Sequence, residues 1–81
     1  MNTERAHHVL MGAVGLVAPG IEPATLDPDR SLREQANLSP RAFLELVALL
    51  ADALHANIPE DDYRNLDTVE GAVAYLAPRL P

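Results

Sequence analysis

The chain has 81 residues, no cysteine, no tryptophan and a formal net charge of −6. Twelve acids face six bases, all arginine, so there is no basic footprint for displacing counterions from a nucleic acid, and an anionic membrane surface would repel the chain. The missing cysteine removes disulfides, thiolate metal sites and cysteine nucleophiles, and 48% hydrophobic with only 4% aromatic residues favours an Ala/Leu/Val helical bundle over a sandwich or barrel.

The length suits one small domain over residues 1–81 with one modest core. Residues 1–18 read as the first helix. Asn2 or Thr3 can cap it, Glu4 suits its positive end, and Ala6, Leu10, Ala13, Val14 and Val17 mark its apolar face. Gly12 and Gly15 each lower helicity by about 1 kcal/mol relative to Ala, and close approach of a neighbouring helix is the expected reason for them. The apolar run from Val9 to Ala18 falls short of the roughly 20 residues a spanning helix needs. It has neither a charged leader nor a cleavage site, so it reads as a core helix of a cytoplasmic protein.

Residues 20–37 form a long connection containing Pro23 and Pro28. Its Ser31-Leu32-Arg33-Glu34 matches a capping box, which predicts one short helical turn with Leu32 pointing inward. Ile21 and Leu26 are also placed for burial, as in an ordered loop folded across the bundle. The second helix opens at Ser39-Pro40. Ser39 is a good N-cap, and Pro40 suits the first helical position, where no N–H is needed. Phe43, Leu46, Val47, Leu50 and Leu54 follow as one buried stripe. The helix runs to about His55, where His55 and Asn57 tolerate the left-handed geometry of a helix end. Residues 59–66 read as a short third helix with Glu60, Asp61 and Asp62 in its first turn and Tyr63 and Leu66 turned inward. Asp67 or Thr68 caps the fourth helix, Asp67 with Glu70 fits a capping box, and Val69, Ala72, Val73 and Leu76 repeat at helical spacing before Pro78 ends it.

From residue 31 onward these blocks resemble one family. Ser31-Leu32-Arg33-Glu34, Leu38, Phe43-Leu44-Glu45-Leu46-Val47, Ile58-Pro59-Glu60-Asp61-Asp62-Tyr63, Leu66, Thr68-Val69 and Gly71-Ala72-Val73-Ala74-Tyr75-Leu76 resemble the acyl carrier protein pattern, without a gap, over roughly residues 26–77. The Ile-Pro-Glu-x-Asp-Tyr block and the Thr-Val helix start are the most specific parts. The resemblance implies an all-α, acyl-carrier-like four-helix bundle, with three long helices, a short third helix and a long loop between the first two. It also implies a non-enzymatic protein. The family holds acyl or peptidyl chains on a 4′-phosphopantetheine arm esterified to a serine in Asp-Ser-Leu or Asp-Ser-Met. That serine stands at the start of the second helix, where a phosphate meets a positive helix end.

Here that motif is replaced by Ser39-Pro40-Arg41. Ser39 stands at the Asp position and Pro40 at the attachment serine. Proline has no hydroxyl to esterify, so no cofactor is expected unless Ser39 is used. Ser39 lies one residue out of register, a change in direction of about 100° around the helix start.

Carrier proteins generally offer partners an acidic face on the second helix. In this chain Arg41 intrudes on that face, Glu45 and Asp52 remain, and Glu60, Asp61 and Asp62 extend the acidity. The expected partner is a protein with a basic surface, such as an enzyme of a fatty acid, polyketide or peptide pathway. Two plainer readings stand beside it: acidity serving solubility, and acids compensating the dipoles of successive helices.

Three further constellations carry little. No metal site is expected, since the adjacent His7 and His8 point to different faces and the acids lack calcium-loop spacing. A Ser39–His55 catalytic pair would span about 24 Å of one helix. The small residues Ala13, Ala48, Ala53 and Ala72 would in principle let the core open for an acyl chain. Three functions follow: a carrier-like docking protein that has lost its attachment residue, a working carrier modified at Ser39, or a helical interaction module unrelated to acyl chemistry.

Overall fold

The computed structural model describes residues 2–81; the part of the first helix expected at Met1 lies outside them. Four α-helices carry the described chain: α1 (Thr3–Val17), α2 (Leu32–Gln35), α3 (Pro40–Leu54) and α4 (Val69–Leu76). Short 3-10 helices occupy Pro23–Thr25, Glu60–Leu66 and Ala77–Arg79. Among the described residues there is no strand, only an isolated antiparallel bridge between Ser31 and Thr68. The all-helical bundle expected from the composition is therefore present.

α3 forms where its ends dictate. Ser39 is extended (φ −67°, ψ 163°), its Oγ accepts the Ala42 N–H at 3.0 Å, and Pro40 takes the first position. At the far end His55 adopts φ 54°, so its N–H reaches back to Asp52 and the Ala56 N–H to Ala51. This double closure satisfies carbonyls that would otherwise be left open. Phe43, Leu46, Val47, Leu50 and Leu54 are buried, as their spacing requires.

α1 packs against both α3 and α4, with Ala6, Leu10, Ala13 and Val14 inside. Leu10, Val14, Leu32, Leu46, Leu50, Leu66 and Leu76 are fully buried, each contributing about 1.5–3 kcal/mol relative to exposure. Asn2 flanks the start of α1 but makes no side-chain cap, and Thr3 already lies inside the helix. Gly12 and Gly15 do not serve close packing: a Cβ on either would meet nothing within 4 Å. Gly71 is the crowded glycine, with the Asn65 backbone oxygen 2.9 Å from where its Cβ would stand. Ala48 is exposed on α3, which removes it from the core.

The long loop is stitched down. Ser31 Oγ accepts the Glu34 N–H at 3.2 Å and opens α2, which buries Leu32 completely. Ile21 and Leu26 are half-buried. Pro28 O accepts the Glu70 N–H at 2.9 Å, and Asp67 O accepts the Leu32 N–H at 2.7 Å. These bonds hold the loop against the start of α4. Thr68, rather than Asp67, caps that helix, its Oγ1 accepting the Gly71 N–H at 2.9 Å. Asp67 instead accepts a long bond from Ser31 Oγ at 3.5 Å.

Candidate functional site

The start of α3 stands between two surface grooves. One, of about 410 Å³, lies toward the 3-10 helix at Glu60–Leu66 and is lined by Pro40, Phe43, Leu44, Tyr63, Arg33 and Arg64, with Glu60 and Asp67. The other, of about 400 Å³, lies toward the end of α1 and is lined by Val17, Ile21, Leu38, Ser39 and Ala42 among others. Buried Phe43 anchors the first groove. Its ring meets Tyr63 edge-on at 5.9 Å, and the Arg33 guanidinium lies over its face at 4.4 Å. A cation over a desolvated ring contributes roughly 0.5–2 kcal/mol, so Arg33 is held rather than free.

Ser39 and Pro40 are both exposed. Ser39 Oγ accepts the Ala42 N–H, so one lone pair is committed to the helix while its proton remains available. Pro40 presents only its ring. The position is thus accessible and well ordered, and chemically inert at Pro40.

Arg41, Glu45, Asp52, Glu60 and Asp61 are exposed, the first three on the outer face of α3 and the last two at the start of the 3-10 helix. Asp62 differs. It is half-buried, and its Oδ2 accepts the Tyr75 hydroxyl at 2.6 Å. Arg79 lies over the Tyr75 ring at 3.9 Å and donates to the Tyr75 carbonyl at 2.7 Å. Burial raises the Tyr75 hydroxyl above its ordinary value, the bond and charge of Asp62 add to this, and Arg79 opposes it. Asp62 therefore ties the 3-10 helix to α4, whatever else it does.

Sequence reasoning did not find that tie, because Asp62 and Tyr75 lie 13 positions apart on different elements. It also missed the stacking of Arg33 on Phe43. A third, larger groove of about 1030 Å³ runs between the start of α1 and α4, lined by Thr3, Pro28, Val69, Val73, Ala74 and Ala77 among others. A fourth feature is a pair of exposed acids, Asp27 and Asp29. Interaction between their carboxyls lowers that of Asp27 and raises that of Asp29. His7 and His8 are exposed, and no group of three or more His, Cys, Asp or Glu able to hold a metal occurs among the described residues. No described helix is long and apolar enough to cross a membrane.

Fold and site together define a small helical bundle in which the start of α3 is exposed, capped by Ser39 and flanked by two grooves. Proteins of that class named as acyl carriers are also similar in sequence. The chain is 29% identical over 58 residues to the acyl carrier protein of Acidothermus cellulolyticus, across 72% of this chain and 69% of that protein. It is 30% identical over 57 residues to the meromycolate extension acyl carrier proteins of Mycobacterium tuberculosis and Mycolicibacterium smegmatis, across 70% of this chain. The match covers 50% of the former protein and 58% of the latter. No protein-family model matches the chain. The similarity supports the acyl carrier protein family at a distance, over about seven-tenths of the chain. Acyl carrier proteins are carriers rather than enzymes, in agreement with the expectation of a non-enzymatic protein.

Proposed function

We propose that this is an acyl-carrier-like protein that docks to enzymes of a carrier-dependent pathway without carrying 4′-phosphopantetheine. The observation behind this is Pro40. By the resemblance it stands at the family's attachment position; it lies on an exposed, capped helix start, and its side chain offers no oxygen to a phosphoryl donor. The helix geometry that presents the arm in a carrier is kept, while the nucleophile is gone. Docking uses the outer face of α3 and the neighbouring 3-10 helix. Glu45, Asp52, Glu60 and Asp61 face a partner's basic surface there, and Arg41 selects against standard carrier partners. The protein acts in the cytoplasm, as a decoy, scaffold or regulator.

A second reading is favoured by one observation: Ser39 is exposed and keeps its hydroxyl proton one residue from Pro40. In a working carrier, Ser39 Oγ would attack the β-phosphorus of coenzyme A. The phosphodiester to the protein forms, the pyrophosphate bond breaks, and 3′,5′-ADP leaves with the electron pair. Two facts oppose this. Ser39 is out of register, and its oxygen serves the cap, while group transfer depends on near-attack geometry.

Intact mass after incubation with coenzyme A and a broad-specificity phosphopantetheinyl transferase separates the two. An unchanged mass is expected; a gain of one phosphopantetheinyl group mapped to Ser39 would make the protein a carrier. The paired substitution Ser39→Asp with Pro40→Ser restores the Asp-Ser of the family motif, leaving Arg41 in place, and is expected to permit modification. Docking is tested by capture of carrier-dependent enzymes, where charge reversal at Glu45, Asp52 or Glu60 should weaken binding. Indifference to all three would remove the docking surface. Asp62 is a poor choice for this test, since reversing it also breaks the bond to Tyr75.

A further inference from the structure

The outer face of α3 carries a charge pattern that is complementary to itself. Buried residues occupy one side of the helix, and Arg41, Glu45, Ala48 and Asp52 form the opposite, exposed strip. Arg41 and Asp52 stand about 16 Å apart along the axis and within about 20° of each other around it. Leu44, at the edge of the strip, is 53% exposed, one of only two large apolar side chains so open among the described residues. Ala48, one turn on, presents only a methyl group.

We infer that α3 pairs with α3 of a second copy, antiparallel about a two-fold axis between Leu46 and Val47. In a two-fold contact each pairing occurs twice, so one favourable match is doubled. With this register Arg41 of each copy lies level with Asp52 of the other, giving two guanidinium–carboxylate pairs at the ends of the contact. Leu44 lies level with Leu49 of the second copy, over the gap between Ala48 and Ala51 there. The small side chains of that gap let the two backbones approach closely. Charge at the ends and an apolar knob over small residues between them fix both direction and register. The net charge of −6 on each copy opposes the contact, and so does Glu45. The two Glu45 side chains lie on the same flank near the axis, and their repulsion restrains the affinity.

A single helix face makes an interface of the weak, transient class, below about 1,200 Å² in total. The dimer therefore forms only at high concentration, and salt screens both the end pairs that favour it and the net repulsion that opposes it. It covers Arg41, Glu45 and Asp52, so a docked enzyme and a second copy exclude one another. The inference needs no carrier pathway and its experiment contains no partner enzyme, so its failure and that of the docking proposal are read separately.

Sedimentation equilibrium at about 0.1 M salt, from about 20 μM to about 1 mM, provides the test. Wild-type average mass should rise toward the dimer across that range. Arg41→Asp alone and Asp52→Arg alone place like charges opposite each other, and each protein should remain monomeric. Mixed in equal amounts they should associate again, because an R41D chain and a D52R chain are complementary at both ends. Leu44→Gln should abolish association, and Glu45→Gln should tighten it several-fold. All these positions are solvent-facing, and an unchanged helical circular dichroism spectrum verifies the fold of each variant. A wild-type protein that stays monomeric to about 1 mM overturns the inference and leaves the face to a different partner. So does a dimer whose single-charge variants associate as before, or fail to recover on mixing.

Discussion

Removing the Tyr75 hydroxyl should loosen the 3-10 helix from α4 and cost measurable stability. In Tyr75→Phe the ring stays in its buried site and only the bond to Asp62 at 2.6 Å is lost. A hydrogen bond to a charged group contributes about 1.5–3 kcal/mol. Asp62 is half-buried, so water recovers part of that, and the expected loss is about 1–2 kcal/mol. For a domain of this size that is a fall in Tm of roughly 4–16 °C. Asp62→Ala leaves the Tyr75 hydroxyl without its acceptor and should cost at least as much. Asp62→Asn keeps a neutral acceptor and should cost less. The double variant should lose less than the two single losses combined, with a coupling of about 1 kcal/mol or more, because both remove the same bond.

The pH dependence carries the same signature. Tyr75 is raised above its ordinary value of 10.0, chiefly by burial and then by Asp62. Above pH 10 the unfolded chain therefore releases this proton before the folded one does. Stability is complete below that pH and falls as the pH rises toward the folded-state value. Thermal denaturation followed by circular dichroism at neutral and alkaline pH reads both effects. Tyr75→Phe should lower Tm at neutral pH and lessen the alkaline decline. A variant with wild-type Tm and an unchanged alkaline decline would refute the tie between Asp62 and Tyr75.

Four other outcomes are expected. Gly12→Ala and Gly15→Ala should each raise stability by up to about 1 kcal/mol in chemical denaturation, since both positions are open. Gly71→Ala should instead destabilise by about 1–3 kcal/mol, because the Asn65 carbonyl and Thr68 hydroxyl must move; a neutral result would show that the start of α4 yields easily. Ser39→Ala should cost about 0.5–2 kcal/mol through the lost cap, a loss that Ser39→Asp avoids, as urea midpoints would report. Leu50→Ala in the fully buried stripe should cost about 2–5 kcal/mol, a large part of the stability of so small a domain, and should lower the urea midpoint with little change in slope.

Local chemistry was legible in the sequence wherever neighbours along the chain satisfy one another. The Ser39 cap, Pro40 at the first helical position, the Ser31 turn and the left-handed His55 all depend on residues within a few positions. The buried face of α3 follows from 3.6-residue periodicity alone. That position 40 carries no side-chain hydroxyl is also a fact of sequence, because it concerns which atoms exist. The tertiary structure decided what depends on residues far apart in the chain. Nothing local distinguishes Gly12 from Gly71, yet one faces open space and the other a carbonyl oxygen. Asp67 and Thr68 are both competent caps; the pairing of the loop with Asp67 leaves the role to Thr68. Asp62 resembles its acidic neighbours until Tyr75 is brought against it. Periodicity says which face of a helix is apolar. Only packing determines which polar group on the other face has a partner and which remains free to find one outside the molecule.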